Sequence, residues 1–293
     1  MKVGVLGAGT MGHGIAQVTA MAGHDVALRD IEAEFVEDGI ESIKANLQGG
    51  VERDKVTEEE KAAALDRISG TTDLETAVGD ADLVVEAVPE EMDIKRATLA
   101  DVEELVSPET VIASNTSSLS LTEIASALSD PTRAVGLHFF NPVHIMKLVE
   151  VVVPEQADDG TVEFASEFVE DIGKVAVEVR DSPGFASSRL GVALGVEAIR
   201  MLQEGVASPR DIDAAMELGY NHPMGPIELG DVVGLDVRLD ILEHLREELG
   251  ERFRPPQILR QKVRAGKLGK KTGEGFYVWE DGEVVGVSGG DDE

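Results

Sequence analysis

Lys2-Val-Gly-Val-Leu6, followed by Gly7-Ala-Gly9-Thr10-Met11-Gly12-His-Gly-Ile-Ala16 and closed by Asp30, is the stretch that decides how this chain folds. Lys2 to Leu6 is a short apolar run suited to a buried strand, and Met11, Ile15, Val18 and Met21 recur at helical spacing. The glycines lie between these two patterns. Gly7 permits a tight turn, Gly9 lets backbone approach a pyrophosphate, and Gly12 lets the helix lie close on the strand, so the helix N-terminus can hold phosphates. Thr10 and Met11 complete that turn and join the glycines as cofactor-binding candidates. A second strand, Asp25 to Arg29, ends at Asp30, 30 − 12 = 18 positions after the third glycine. A carboxylate at about 20 positions accepts hydrogen bonds from a ribose 2′-hydroxyl and repels a 2′-phosphate, so the reading is NAD and not NADP. Arg29 is adjacent, but alternation along a strand aims it at the opposite face.

The 293 residues suffice for a sizeable core and two domains. With 57 acidic against 26 basic residues the formal charge is −31, which excludes general nucleic-acid binding because that needs a basic footprint. The apolar fraction of 42% argues against disorder. No cationic start with an apolar segment and no long apolar run is present, so the expectation is a cytoplasmic protein without a membrane span. The absence of cysteine excludes disulfides and thiolate chemistry. The acidity fits a cytosol rich in salt, where charge keeps the surface hydrated and self-repulsion is screened; an ordinary acidic protein is the alternative.

After Asp30, polar helix-forming stretches at 31–47 and 57–65, separated by Gly49-Gly50, predict a helical hairpin inserted over about 31–67, its second helix opened by the capping box Thr57-Glu-Glu-Glu60. A short strand just before Thr71-Thr-Asp73 and strands near 82–87 and 110–113 alternate with a helix near 94–106, which predicts a parallel, doubly wound α/β sheet. Ligands of such sheets gather where strands end, here at Pro89-Glu90, Ser114-Asn-Thr-Ser-Ser118 and His138-Phe-Phe-Asn141. Ser120-Leu-Thr-Glu123 reads as a further capping box, so Ser117 divides evenly between turn chemistry and function. Two strands, 133–139 and 147–152, form a hairpin in this reading; centred on His144, it sets His138 opposite Glu150. A carboxylate there would fix the imidazole tautomer and stabilise an imidazolium. His144 itself falls at the turn and is expected exposed.

Pro183-Gly184 marks a boundary. The expected organisation is a dinucleotide-binding domain over 1–182, an all-helical substrate and dimerisation domain over 183–283, and a flexible tail over 284–293. The helix over 185–202 has small or apolar residues around much of its circumference, which fits burial shared with a second copy of the chain.

Gly7 to Ala16, Ser114-Asn-Thr-Ser-Ser-Leu119, His138-Phe-Phe-Asn-Pro142, Met146-Lys-Leu-Val-Glu150, Pro223-Met-Gly-Pro226 and Gly269-Lys-Lys-Thr-Gly-Glu-Gly-Phe-Tyr277 together resemble the short, single-function 3-hydroxyacyl-CoA dehydrogenases over about residues 1–280. The resemblance implies NAD-dependent, reversible oxidation of an (S)-3-hydroxyacyl-CoA, of short chain such as 3-hydroxybutyryl-CoA, to the 3-ketoacyl-CoA. Carried over by position, His138 is the general base and Glu150 its partner, Ser117 and Asn141 hold the substrate oxygens, and Glu90 and Lys95 contact the cofactor region. The plain alternative for Glu90 and Lys95 is an exposed pair at a helix start. Where the family has asparagine before arginine, this chain has Ser188, a shorter donor toward the substrate.

Metal ligation is not expected, because the six histidines show no ligand spacing. CoA is anionic, and Lys44, Arg53 and Lys55 on the hairpin are candidates to meet it. Three alternatives stay open at this level: a free hydroxy-acid dehydrogenase of the same architecture resembling L-gulonate 3-dehydrogenase, a non-catalytic dinucleotide-binding protein, and an oxidoreductase using Lys95 or Lys174 as base.

Overall fold

The computed structural model describes residues 1–289, which divide into two compact units, 1–185 and 186 onward. The first unit runs β1 (Lys2–Leu6), α1 (Thr10–Met21), β2 (Asp25–Arg29), α2 (Ala33–Glu52), α3 (Glu58–Asp66), β3 (Ile68–Thr71), α4 (Leu74–Val78), β4 (Leu83–Glu86), α5 (Met92–Glu103), β5 (Val111–Ser114), α6 (Leu121–Ala125), β6 (Ala134–Phe139), β7 (Leu148–Val153), α7 (Asp159–Asp171) and β8 (Val175–Arg180). Its eight strands form one sheet in the order β3-β2-β1-β4-β5-β6-β7-β8, in which only the β6–β7 pairing is antiparallel. Strands β1, β4, β5 and β6 therefore deliver their carboxyl ends to the same edge.

The strands alternate, and the alternation builds two cores. Val3, Val5, Leu83, Val85 and Ala113 face Ile15 of α1, Ile43 and Leu47 of α2, and Phe168 of α7. Leu6, Val84, Ile112 and Ala134 face the opposite layer, with Leu99 and Val102 of α5 and Ile124 of α6. Glu86 follows Val85 and so falls on the α5 side of the sheet, fully buried.

The inserted hairpin is α2 and α3, and Thr57 and Glu60 make the reciprocal capping box. The break expected at Gly49-Gly50 does not occur, since α2 continues to Glu52. Gly50 serves close approach instead: a Cβ there would stand 2.9 Å from Cγ2 of Val56, the residue just ahead of α3's cap.

At the end of α5, Glu103 accepts the amides of Ser129 (2.6 Å) and Asp130 (3.0 Å) and an Nη2–H of Arg133 (3.1 Å). Burial pushes this carboxyl up, but the two amides and the guanidinium outweigh it and bring it down to about 2. Its folded value lies below its unfolded one, so the stabilisation is complete above about pH 4.5 and is lost as pH falls from there toward 2. Glu103→Gln should cost on the order of 1–3 kcal/mol at pH 7, a range discounted for solvent screening. Urea unfolding of both chains from pH 7 to 3 measures it: the gap between them should narrow on acidification, and a constant gap would refute the assignment.

The second unit contains α8 (Ser187–Gln203), α9 (Pro209–Tyr220), α10 (Pro226–Val233), α11 (Leu235–Leu249) and α12 (Gln257–Arg264), followed by β9 (Tyr277–Glu280) and β10 (Glu283–Val287). Its core joins Val192, Val196 and Ile199, one stripe of α8, to Ile227, Leu242, Phe276 and Trp279. Two expectations need correction. The unit is not all-helical, because β9 and β10 pair antiparallel; and the tail expected from 284 begins inside that pairing, where Val284 sits opposite Trp279. Residues 290–293 of that tail lie outside the described residues. Two buried aspartates fasten the unit: Asp231 accepts the amides of Phe276 and Tyr277 and Nε1–H of Trp279, while Asp213 accepts the Tyr277 hydroxyl and the amides of Ile227 and Glu228.

Candidate active site

The cleft at the carboxyl end of β1 has a volume of about 760 Å³ and is lined by Gly7, Gly9, Thr10, Met11, Asp30, Phe35 and Ile94 among others. Gly7 has φ +99°, and a Cβ on it would stand 2.5 Å from the Ala87 carbonyl. On Gly12 a Cβ would meet the Gly7 carbonyl at 1.7 Å, so helix and turn touch without room for a side chain. A Cβ on Gly9 would meet nothing within 4 Å, so this glycine borders open space. These positions fit the pyrophosphate of a dinucleotide.

Asp30 is held in place from two sides, accepting the amide of Ala8 at 2.7 Å and that of Ile31 at 2.7 Å. Each oxygen retains acceptor capacity for ribose hydroxyls. Arg29, expected to point away, is among the residues lining the cleft, but its Nε–H is given to the carbonyl of Thr72 at 3.2 Å.

His138 and Glu150 are direct partners in the β6–β7 register. Nδ1 of His138 lies 2.8 Å from Oε2 of Glu150, and both residues are buried. The neutral imidazole donates from Nδ1 in this arrangement, which leaves Nε2 as the proton-accepting atom. The rings of Phe140 and Phe185 pack on the imidazole, with centroids at 4.5 and 5.5 Å. Asn141 follows β6 on an exposed loop, and the amide of Phe139 is given to Oδ1 of Asn115, which ties β6 to the end of β5. His144 is half-buried where exposure was expected; burial, then the charges of Arg53, His13 and Lys174, push its pKa down.

Glu90 and Lys95 depart furthest from expectation. Lys95 is 1% exposed and so is not half of an exposed pair at a helix start. Its ammonium lies 2.7 Å from Oε1 of Glu86, 3.2 Å from Oε2 of Glu90 and 3.3 Å from the Val88 carbonyl. Glu90 Oε1 gathers the loop after β5: Thr116 Oγ1 at 2.7 Å, the amides of Ser117 and Ser118 at 2.8 and 3.0 Å, and their hydroxyls at 3.2 and 3.0 Å. Burial pushes the Glu90 carboxyl up, but Lys95 and these donors prevail and hold it below its usual value. Glu86 is the residue that sequence reading missed. The signal was present as an acid ending an otherwise apolar strand.

Lys44, Arg53 and Lys55 are exposed on the α2–α3 hairpin, with Lys44 already 2.7 Å from Glu41. Ser188 belongs to the second unit, half-buried in the first turn of α8. Among the described residues no group of three or more His, Cys, Asp or Glu is placed to hold a metal ion, and no helix is long and apolar enough to cross a membrane.

Comparison with known proteins adds the following. Residues 2–182 match the family "3-hydroxyacyl-CoA dehydrogenase, NAD binding domain", and residues 184–279 match "3-hydroxyacyl-CoA dehydrogenase, C-terminal domain". The chain is 45% identical over 278 residues to a probable 3-hydroxybutyryl-CoA dehydrogenase of Deinococcus radiodurans, covering 94% of this chain and 99% of that one. It is 44% identical over 285 residues to the 3-hydroxybutyryl-CoA dehydrogenase of Bradyrhizobium diazoefficiens, covering 97% of each. The crystal structure of (S)-3-hydroxybutyryl-CoA dehydrogenase from Ralstonia eutropha superposes with a TM-score of 0.92 at 41% identity, covering 96% of this chain and 99% of that one.

Proposed function

The chain belongs to the 3-hydroxyacyl-CoA dehydrogenase family, an NAD-dependent oxidoreductase by that membership, and we propose that its substrate is a short (S)-3-hydroxyacyl-CoA such as 3-hydroxybutyryl-CoA. The observation that carries the mechanistic part is the buried His138–Glu150 pair at the sheet edge where β1, β4 and β5 also end. Removing hydride from a carbinol carbon requires its hydroxyl proton to leave as well. Bound NAD supplies the hydride acceptor. His138 Nε2 takes the proton, and Glu150 holds the ring in the required tautomer and balances the imidazolium as it forms. Ser117 and Asn141 steady the substrate oxygens, and Ser188 offers a hydroxyl to the acyl part. Lys44, Arg53 and Lys55 supply positive charge for the CoA phosphates.

NADH oxidation with acetoacetyl-CoA across a salt series, with NADPH and free acetoacetate in parallel, tests this reading. Turnover is expected with NADH and the thioester alone. Asp30→Ala should raise the KM for NADH about tenfold, the loss of hydrogen bonds to a charged acceptor, and erode the preference over NADPH. Equal turnover of free acetoacetate would replace the thioester reading with that of a hydroxy-acid dehydrogenase.

On the same reading the chain works in a cytoplasm, and one rich in salt, because so acidic a surface is best screened there; activity highest near zero salt would refute the salt part. It pairs as a homodimer through the second unit, where Leu190, Leu218, Tyr220 and Val206 stand exposed.

A further inference from the structure

Resting on that reading of the site, we propose that Glu86 is a positioning residue for the reaction: by holding the Lys95 ammonium on its own side, it keeps Glu90 Oε1 available to the Ser117–Ser118 loop. Glu86 touches neither the cleft nor the His138 pair. Its side chain is fully buried, and its contacts are complete: Oε1 receives Lys95 Nζ at 2.7 Å and the Val88 amide at 2.8 Å, and Oε2 receives the Ser114 hydroxyl at 2.6 Å.

Two carboxylates thus share one ammonium, and unequally. Lys95 lies 2.7 Å from Glu86 and 3.2 Å from Glu90. The inequality matters because Glu90 Oε1 is oversubscribed. Five donors lie within 3.2 Å of it, whereas a carboxylate oxygen has about two lone-pair sites. The Ser117 hydroxyl, at 3.2 Å, is the most distant of the five and the first to be released, so it is the donor free to turn toward a substrate oxygen while the amides of Ser117 and Ser118 stay fixed. The ammonium meets Oε2 of Glu90 and the loop donors meet Oε1, so an ammonium drawn fully onto Glu90 would pivot the carboxylate toward itself and pull Oε1 away from the amides. Glu86 prevents that by Coulomb attraction in a buried setting, where charge pairs are weakly screened. Neutralising Glu86 should therefore disturb a loop that it never contacts.

The test compares wild type, Glu86→Gln and the double variant Glu86→Gln/Lys95→Met, each with NADH present. Hydrogen exchange of the Ser117 and Ser118 amides should be about tenfold faster in Glu86→Gln than in wild type. The kcat with acetoacetyl-CoA should fall about tenfold with a smaller change in KM, as misplacement of a positioned group does. The double variant decides the mechanism. With no ammonium left to migrate it should exchange more slowly and turn over faster than Glu86→Gln, whereas a merely structural Glu86 would make the double variant worse.

Exchange and kcat within about twofold of wild type in Glu86→Gln, or a double variant with lower kcat than the single, would overturn the proposal. Should Glu86→Gln not fold, Glu86→Asp carries the test: a carboxylate withdrawn by one methylene pulls less on Lys95, so exchange should rise and kcat fall by about threefold, and wild-type values would overturn the proposal. Exchange needs no substrate. Failure of wild type to reduce acetoacetyl-CoA would refute the substrate reading alone and leave the loop measurement standing.

Discussion

His138→Gln should lower kcat for acetoacetyl-CoA reduction by about 10²- to 10⁴-fold, the range for loss of a positioned general acid or base. The proposed mechanism asks one atom, Nε2, to take or give the hydroxyl proton while the other nitrogen is engaged by Glu150 at 2.8 Å. Glutamine fills much of the same volume and keeps a hydrogen-bonding group near Glu150, but it cannot carry the proton. Affinity for NADH, measured by its fluorescence, should stay within about twofold, because the turn and Asp30 are untouched. Glu150→Gln separates the two roles. It leaves an acceptor for Nδ1–H but removes the charge that balances the imidazolium, so a smaller loss of about 10- to 10³-fold is expected, deepest where protonated His138 is required. Near wild-type kcat in both variants, with folding unchanged, would remove His138 from the base role.

Asp231→Ala should destabilise the second unit by about 3–5 kcal/mol, the scale for breaking a buried charged network by removing one member. Asp231 is fully buried and receives three donors at 2.9, 2.9 and 3.0 Å, from Phe276, Tyr277 and Trp279. Alanine would leave all three without an acceptor, each costing about 1–3 kcal/mol and not additively. Asp231→Asn would be only partly better, because its amide nitrogen is a donor facing donors. The measurement is equilibrium urea unfolding followed through Trp279, the only tryptophan in the chain and itself one of the three donors. A loss below about 1 kcal/mol would mean that water replaces the carboxylate without cost, contrary to its burial.

Much of the site is legible in the sequence because its signals are local. The turn from Gly7 to Gly12 and the acid at Asp30 lie within one strand-helix-strand segment. His138 and Glu150 follow from counting outward from a hairpin centre, which works because strand pairing is a fixed register. What escapes such reading depends on which face of the sheet a residue takes and on what covers it. Glu86 reads as the end of an apolar run, and only the packing of α5 on that face makes it the partner of Lys95. Lys95 itself has the spacing of a surface helix residue, yet lies inside. Gly49-Gly50 reads as a break, but glycine in a helix also permits close approach, and Val56 decides between the two. The β9–β10 pairing is hidden for a related reason: the run after Gly273 is glycine-rich and short, and Asp231, 45 residues before Phe276, accepts the amides at its start.

The single antiparallel step in the sheet has a consequence for how this enzyme can change over time. Because β6 returns directly as β7, the two residues assigned to proton transfer are 12 positions apart and belong to one hairpin. Their alignment is a short-range property, formed with little loop-closure entropy. Substitutions outside β6 and β7, in the inserted hairpin or in the second unit, then leave the register of this pair in place. The alignment of the two residues is thus inherited with one short segment of the chain, and change can accumulate elsewhere without disturbing it.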